Sequence, residues 1–374
     1  MDANNFLDIL ESLGGKFYTG VPDSLLSPFI DAVMDRHGIS NSHIVAANEG
    51  AAVSLAAGHY LATAQPAVVY MQNSGIGNAT NPICSLLHEK VYSIPVIFVV
   101  GWRGEPGTKD ETQHVFQGEV TLLQLECMGI PYAVVGEDTD SLSATINDFG
   151  QYIAKGQSVA FVIRKGALSN SGKMKYTSPA LLSRENALKT ILSDTQSNVA
   201  VYVCTTGKLS REVFEIREQR GEGHGQDFLT VGSMGHSLMI AYGIALAKPE
   251  KKVYCLDGDG AVLMHMGSLA VVGVHQPKNL VHVVINNGAH ETVGGLPAVS
   301  TKLDLYKTAQ TSGYNQVCQV STAEELSTAL KAIHDGPSFI EVMCNLDSRK
   351  DLGRPTTTPI QNKNDLMAYL AESV

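Results

Sequence analysis

A single tryptophan serves the whole 374-residue chain, and its six cysteines, Cys84, Cys127, Cys204, Cys255, Cys318 and Cys344, are scattered. No two of them form a CxxC pair, which removes the dithiol redox and paired-cysteine zinc signatures. Several lie in apolar runs, so free buried thiols in a reducing compartment are expected. Positive charge is short as well. Lys and Arg number 27 against 37 Asp and Glu, and a net charge of −10 argues against non-specific nucleic-acid binding. An anionic small molecule would then need a local basic pocket. The start, MDANNFLDIL, has neither the basic head nor the long apolar core of a secretory signal. No apolar run reaches a membrane-spanning length. A cytoplasmic protein with no membrane or nucleic-acid partner is the expectation. A dinucleotide fingerprint also fails, because Thr80 stands where the third glycine after Gly75 and Gly77 belongs. Heptads, short repeats and low-complexity tracts are missing too. What remains, 44% apolar and 17% charged residues, suits a packed α/β enzyme of two ordinary domains.

The chemistry is concentrated in Leu256 to Gly295, LDGDGAVLMHMGSLAVVGVHQPKNLVHVVINNGAHETVGG. An apolar run from Lys252 to Leu256 stops at Asp257-Gly258-Asp259-Gly260, and a helix-like segment follows. A second apolar run, Leu280 to Ile285, stops at Asn286-Asn287-Gly288. Strand, helix, strand is the reading, with polar groups where open α/β sheets bind ligands. Asp259 lies between two glycines, so the backbone there can turn sharply and approach a ligand. Asp259 and Asn287 would come from adjacent strand ends. A carboxylate, an amide oxygen and a nearby carbonyl form a hard oxygen site that suits Mg²⁺ beside phosphates. The plain alternative is a Gly/Asp turn with an Asn cap.

The first half alternates in the same way. A helix is predicted over residues 4–14, with Asn4 or Asn5 as its cap. A short strand at 17–21 ends in Pro22-Asp23-Ser24, where Asp23 either caps the helix running to His37 or faces a ligand. A strand at 42–46 leads to Asn48-Glu49-Gly50. Glu49 opens a helix of Ala, Ser and Gly, where a carboxylate favours the dipole but, if buried, needs a hydrogen-bond donor. Strands follow at 66–71 and 91–101. The second of these ends in GWRGEPGTKDETQH, a loop holding the only Trp and a basic cluster of Arg103, Lys109 and His114. It is either a solvated loop or a strand-end site. Strands at 132–135 and 159–163 flank a helix from about Asp138 to Lys155.

Residues 168–182 are Ser/Lys/Gly-rich and aperiodic, the best linker. The second half restarts with a helix from Ser183 and a strand at 198–204 that ends in Thr205-Thr206-Gly207, whose hydroxyls and amides could hold phosphate oxygens. A strand at 228–231 ends in Gly232-Ser233-Met234-Gly235-His236. Beyond the central stretch come a polar segment at 296–313, strands at 316–320 and 338–344, and a helix from Asp365 to Ala371. The two halves share an αβ pattern, but one sequence does not establish an internal repeat.

GDG followed one strand-helix-strand later by NN resembles the cofactor signature of the thiamine diphosphate-dependent 2-oxo-acid decarboxylases. GVPDSLL, ANEG, GWRGEPGTKDETQH and GSMGHS resemble the two-domain, phosphonopyruvate-cleaving members of that family. The resemblance implies two thiamin-diphosphate-binding-fold domains, each a mainly parallel sheet flanked by helices. A pyrimidine-binding domain would span 1–167, a linker 168–182 and a diphosphate-binding domain 183–374. Thiamine diphosphate and Mg²⁺ are the implied cofactors. Asp259, Asn287 and the carbonyl of Ala289 match the metal ligands. Gly258, Gly260, Thr206 and Gly207 match positions near the diphosphate. The Gly232 carbonyl would accept from the 4′-amino group. Met234 matches the bulky residue that holds the cofactor bent, its ordinary alternative being a core methionine. Glu49 matches the glutamate bonded to the aminopyrimidine. Asp23 and His114 match acid/base positions, although relatives often pair two histidines where this chain has Gln113-His114. Arg103 and Lys109 are candidates for the phosphonate, since guanidinium and ammonium groups match such oxyanions. The implied reaction turns 3-phosphonopyruvate, a small anionic 2-oxo acid, into phosphonoacetaldehyde and CO₂, a step of phosphonate biosynthesis. A sulfopyruvate decarboxylase and a non-catalytic thiamine diphosphate-binding subunit are the alternatives. The implied assembly is a homodimer or higher homo-oligomer, with the cofactor between the first domain of one subunit and the second of another.

Overall fold

The computed structural model describes residues 1–136, 142–172, 176–291 and 294–372. The chain divides into two compact units, Met1–Lys175 with His290–Leu296 and Tyr176–Ala289 with Pro297–Val374.

The first unit is built on β1 (Tyr18–Gly20), β2 (His43–Val45), β3 (Ala67–Gln72), β4 (Val96–Gly101), β5 (Tyr132–Val135) and β6 (Val159–Ile163). They lie in the order β2-β1-β3-β4-β6-β5, and every neighbouring pair is parallel. The runs VIFVVG and VAFVI are buried throughout, as central parallel strands covered on both faces must be. One face packs Val69, Phe98, Val100 and Val162 against Ala52, Val53 and Ala56 of helix Glu49–Thr63. Small side chains on that helix let it lie close to the sheet. On the other face Phe6 meets Phe161 edge-on, with ring centroids 5.3 Å apart.

Local chemistry corrects several predicted boundaries. The first helix is Ala3–Ser12, capped by Asp2 rather than by Asn4 or Asn5. The strand predicted from Val91 begins at Val96. Residues 91–94 turn around His88 instead, whose carbonyl accepts from the N–H groups of Val91 and Ser93. Ser93 takes a left-handed φ of 55°, and Pro95 has no N–H to give a ladder, so pairing starts after it. The helix predicted from Asp138 is Leu142–Ala154, and residues 138–141 lie outside the described ones.

The second unit contains β7 (Ala200–Cys204), β8 (Asp227–Leu229), β9 (Lys252–Gly258), β10 (Leu280–Asn286) and the strands Gln316–Val320 and Ser338–Met343. From one edge the order is β8, β7, β9, β10, Ser338–Met343, Gln316–Val320, again all parallel. Numbered from its own first strand, each sheet reads 2-1-3-4-6-5. The structure therefore supplies the repeat that the sequence left open. In this order the chain leaves strand 1 toward one edge and returns to its other side for strand 3. A crevice opens between the carboxyl ends of those two strands. It sets residues 21–23 beside 72–75 in the first unit and 205–207 beside 258–259 in the second.

The polar segment 296–313 contains a 3₁₀ turn, Val299–Lys302, and a helix, Leu305–Thr311. The last helix starts earlier than predicted, at Pro359, behind a Thr358/Gln361 capping box. The predicted linker 168–182 is tied at both ends. Ser169 exchanges backbone hydrogen bonds with Met1 and Ala3, and the Leu182 carbonyl accepts from Asn345. Residues 173–175 within it lie outside the described ones. No described helix is long and apolar enough to cross a membrane.

Candidate active site

In the first unit, Asn48 caps helix Glu49–Thr63, accepting from the N–H groups of Gly50 and Ala51. Glu49 stands in the first turn and is only 5% exposed. Burial of such a group demands a donor, and Asn78 Nδ2 donates to its Oε2 at 2.8 Å. Gly75 presses on the other oxygen, where a Cβ would lie 2.5 Å from Oε1.

Asp23 is buried at the end of β1. Helix Ser27–His37 starts without a side-chain cap, so the capping alternative for Asp23 falls. Its Oδ2 accepts from Leu25 N at 3.1 Å and its Oδ1 from Gln72 Nε2 at 2.7 Å. Ser74 Oγ in turn donates to Gln72 Oε1 at 2.6 Å, which fixes the amide. Burial pushes the Asp23 carboxyl upward. Gln72, Arg103, the Leu25 N–H and His114 oppose that rise without cancelling it.

The Trp102 loop is anchored at its ends, although residues 106–109 are exposed. Trp102 is buried, and its indole N–H donates to the Gly118 carbonyl at 2.9 Å. That bond pins the loop to helix Thr112–Cys127. Arg103 is committed to Asp110, with Nε 2.8 Å from Oδ2 and Nη2 2.5 Å from Oδ1. Its Nη1 donates to Ser24 Oγ at 3.2 Å. His114 Nδ1 lies 3.0 Å from the same Asp110 Oδ1. Of the predicted basic cluster, Asp110 gathers Arg103 and His114, while Lys109 stays exposed. Asp110 thus offsets much of the charge that the sequence suggested.

In the second unit, Thr205 follows β7 and is buried, and its hydroxyl has no partner among the described residues. Thr206 is half-buried. Gly207, with φ of 99°, turns the chain into helix Lys208–Arg220. Asp259, directly after β9, is 4% exposed and accepts from Ser300 Oγ. Burial pushes its carboxyl up to about 6, against the Ser300 hydroxyl and the Gly260 N–H and with the help of nearby Glu341. Among the described residues no Lys or Arg pairs with it. β10 lies beside β9, and Asn286 at its end is buried. Asn286 donates to Glu341 Oε1 at 2.7 Å and accepts from Gly288 N at 2.9 Å, a scaffold role. Asn287 is half-buried, and its Oδ1 accepts from Ala289 N at 3.1 Å. Gly232, Met234, Gly258 and Gly260 are all half-buried. Met234 is in neither core cluster described for this unit. Ser233 before it has a left-handed φ of 52°.

Residues 3–125 match the thiamine pyrophosphate enzyme N-terminal TPP binding domain, and residues 205–342 match the C-terminal TPP binding domain. A phosphonopyruvate decarboxylase of Streptomyces viridochromogenes is 34% identical, covering 96% of this chain and 93% of its own. The chain belongs to the phosphonopyruvate decarboxylase family of thiamine pyrophosphate enzymes. A second member, from Streptomyces hygroscopicus, is 33% identical over 96% of this chain and 91% of its own. A sulfopyruvate decarboxylase of Methanosarcina acetivorans is 27% identical over 78% of this chain and 79% of its own.

The side chains fit this family's cofactor. The orphaned Thr205 hydroxyl at the crevice suits a phosphate oxygen. A buried carboxylate with no cationic partner suits a divalent cation, since burying such a charge alone is costly. Four contributors escaped the sequence reading. Gln72 had a visible signal, as the first polar residue after an apolar strand. Asp110 and Asn78 sat among other polar residues. Ser300, 41 residues from Asp259, gave none.

Proposed function

We propose that this enzyme decarboxylates 3-phosphonopyruvate to phosphonoacetaldehyde and CO₂, using thiamine diphosphate and Mg²⁺. The observation that carries the reading is Glu49, buried and held by Asn78, in a chain matching phosphonopyruvate decarboxylases over almost its whole length. Its intactness, with Asp259 and Asn287, also favours an enzyme over a non-catalytic subunit. When bound, thiamine diphosphate supplies the electron sink that accepts the pair left by departing CO₂. Glu49 would hydrogen-bond the aminopyrimidine through Oε1, Asn78 occupying Oε2. Asp259, Asn287 and the Ala289 carbonyl would hold the metal. Thr205, Thr206, Gly207, Gly258 and Gly260 would receive the diphosphate, Gly232 would accept from the 4′-amino group, and Met234 would support the bend.

Asp23 and His114 are the proton-handling groups of this reading. Burial raises the Asp23 carboxyl, which favours the protonated form and suits it to give a proton to the carbon that loses CO₂. His114 belongs to the same polar cluster. Arg103 Nη1, whose one hydrogen bond among the described residues is the 3.2 Å contact to Ser24, and the exposed Lys109 are the proposed phosphonate contacts. The enzyme would work in the cytoplasm as a homodimer or larger. Exposed Val115, Phe116 and Leu123 on helix Thr112–Cys127 support self-association. CO₂ release from phosphonopyruvate and sulfopyruvate, measured side by side, tests the substrate. Preference for sulfopyruvate would move the substrate while keeping the chemistry.

A further inference from the structure

Asp110 has no role in the reaction as described so far, yet it organises the polar cluster of the first unit. Its carboxylate accepts five hydrogen bonds, from Arg103 Nε and Nη2, Gly104 N, Glu111 N and His114 Nδ1. Burial alone would raise this carboxyl, but Arg103, His114 and the two backbone N–H groups outweigh it and hold it far below the usual carboxylate range. Arg103 forks onto both oxygens of Asp110, which favours the ionised carboxylate, and an ionised carboxylate only accepts. The ring nitrogen 3.0 Å from Oδ1 must then carry a hydrogen. In the neutral ring, Nε2 holds the lone pair, and among the described residues it makes no hydrogen bond.

We propose that Asp110 is the positioning residue of this site, locking His114 in the Nδ1–H tautomer and leaving the lone pair on Nε2 for proton transfer. The same Oδ1 receives Arg103 Nη2, so the ring and the guanidinium are held as one unit. A free imidazole prefers the opposite tautomer, and without Asp110 the ring would present N–H where the lone pair is needed. This inference rests on the reading of His114 as a proton-handling group. The charged groups around the ring are Asp110, Arg103 and Asp23, with Glu111 beside Arg103.

The test is the ¹⁵N spectrum of histidine-labelled full-length enzyme, loaded with thiamine diphosphate and Mg²⁺, at a pH where His114 is neutral. The wild type should show His114 protonated at Nδ1. Asp110→Ala should shift it toward Nε2–H and lower kcat/KM by roughly 10²-fold, the scale of one general acid–base group. Asp110→Glu should restore the tautomer in part. An Nε2–H signal in the wild type overturns the proposal without any variant, as does an unchanged tautomer in Asp110→Ala. The spectrum needs no turnover. Failure of the decarboxylation reading would show separately, as no CO₂ from a chain whose His114 is correctly protonated.

Discussion

Glu49 and Gly75 touch so closely that no side chain fits between them: a Cβ on Gly75 would lie 2.5 Å from Oε1 and 2.7 Å from Cγ of Glu49. The atoms that would have to move belong to a buried side chain in the first turn of a helix. Gly75→Ala should therefore displace the carboxylate that this reading gives to the aminopyrimidine. We expect kcat to fall at least about 10²-fold, in line with losing an aligned catalytic contact, while the far-UV circular dichroism stays native. Full activity in Gly75→Ala would show that the position of Glu49 is not critical.

Asp259 should make the metal-free protein pH-sensitive. Its folded-state pKa, about 6, lies above its ordinary 3.8. A raised carboxyl contributes stability that is complete below about pH 4 and lost as pH rises through about 6. The span corresponds to at most about 3 kcal/mol at 1.36 kcal/mol per pH unit. Asp259→Asn keeps a group that can meet Ser300 and the backbone N–H groups. Without metal it should be more stable than wild type at pH 8 and indistinguishable near pH 4. Mg²⁺ with cofactor should raise the Tm of wild type and leave the variant unchanged. Equal Tm values at pH 8 in chelator would contradict this.

Stability of the second unit should hinge on a buried pair. Arg217 is 2% exposed, forks onto Asp227 through two 2.8 Å bonds and stacks over Tyr202. Arg217 Nη1 also donates to Glu222 at 2.7 Å, so Asp227→Ala leaves the guanidinium with one carboxylate instead of two and should cost about 3 kcal/mol by urea unfolding, the low end for a broken buried pair. Replacing both with apolar residues should cost much less. A small loss in the single variant would show that Glu222 alone satisfies Arg217.

Arg103 and Lys109 should separate in kinetics. Lys109→Ala should raise KM for phosphonopyruvate with kcat kept, as expected of a contact equal in ground and transition states. Arg103→Ala should lower kcat as well, because Asp110, which holds His114, loses its partner. An Arg103→Ala enzyme with unchanged KM would rule out the Arg contact.

The sequence was most informative where periodicity and strand ends coincide. β9 and β10 were readable from apolar runs stopping at Asp257-Gly258-Asp259-Gly260 and Asn286-Asn287-Gly288, and the structure places those strands side by side. Glu49 stood out as a carboxylate among Ala and Gly. Contacts across long separations were not readable: Ser300 reaches Asp259 from 41 residues away, and Gln72 reaches Asp23 from 49. Nor does a run of loop charges reveal which pairs form, which is why the basic cluster looked freer than Asp110 leaves it. The shared 2-1-3-4-6-5 order was hidden for another reason. It resides in hydrogen-bonded pairing, which unrelated apolar runs satisfy equally well.

The most direct measurement is phosphonoacetaldehyde formation from phosphonopyruvate by wild type and Glu49→Gln, each saturated with thiamine diphosphate and Mg²⁺. The wild type should turn over, and the variant should bind the cofactor yet fall by about 10² or more, the scale of a lost acid–base group. A variant as active as the wild type would contradict the role given to Glu49, and with it the chemistry proposed for this site.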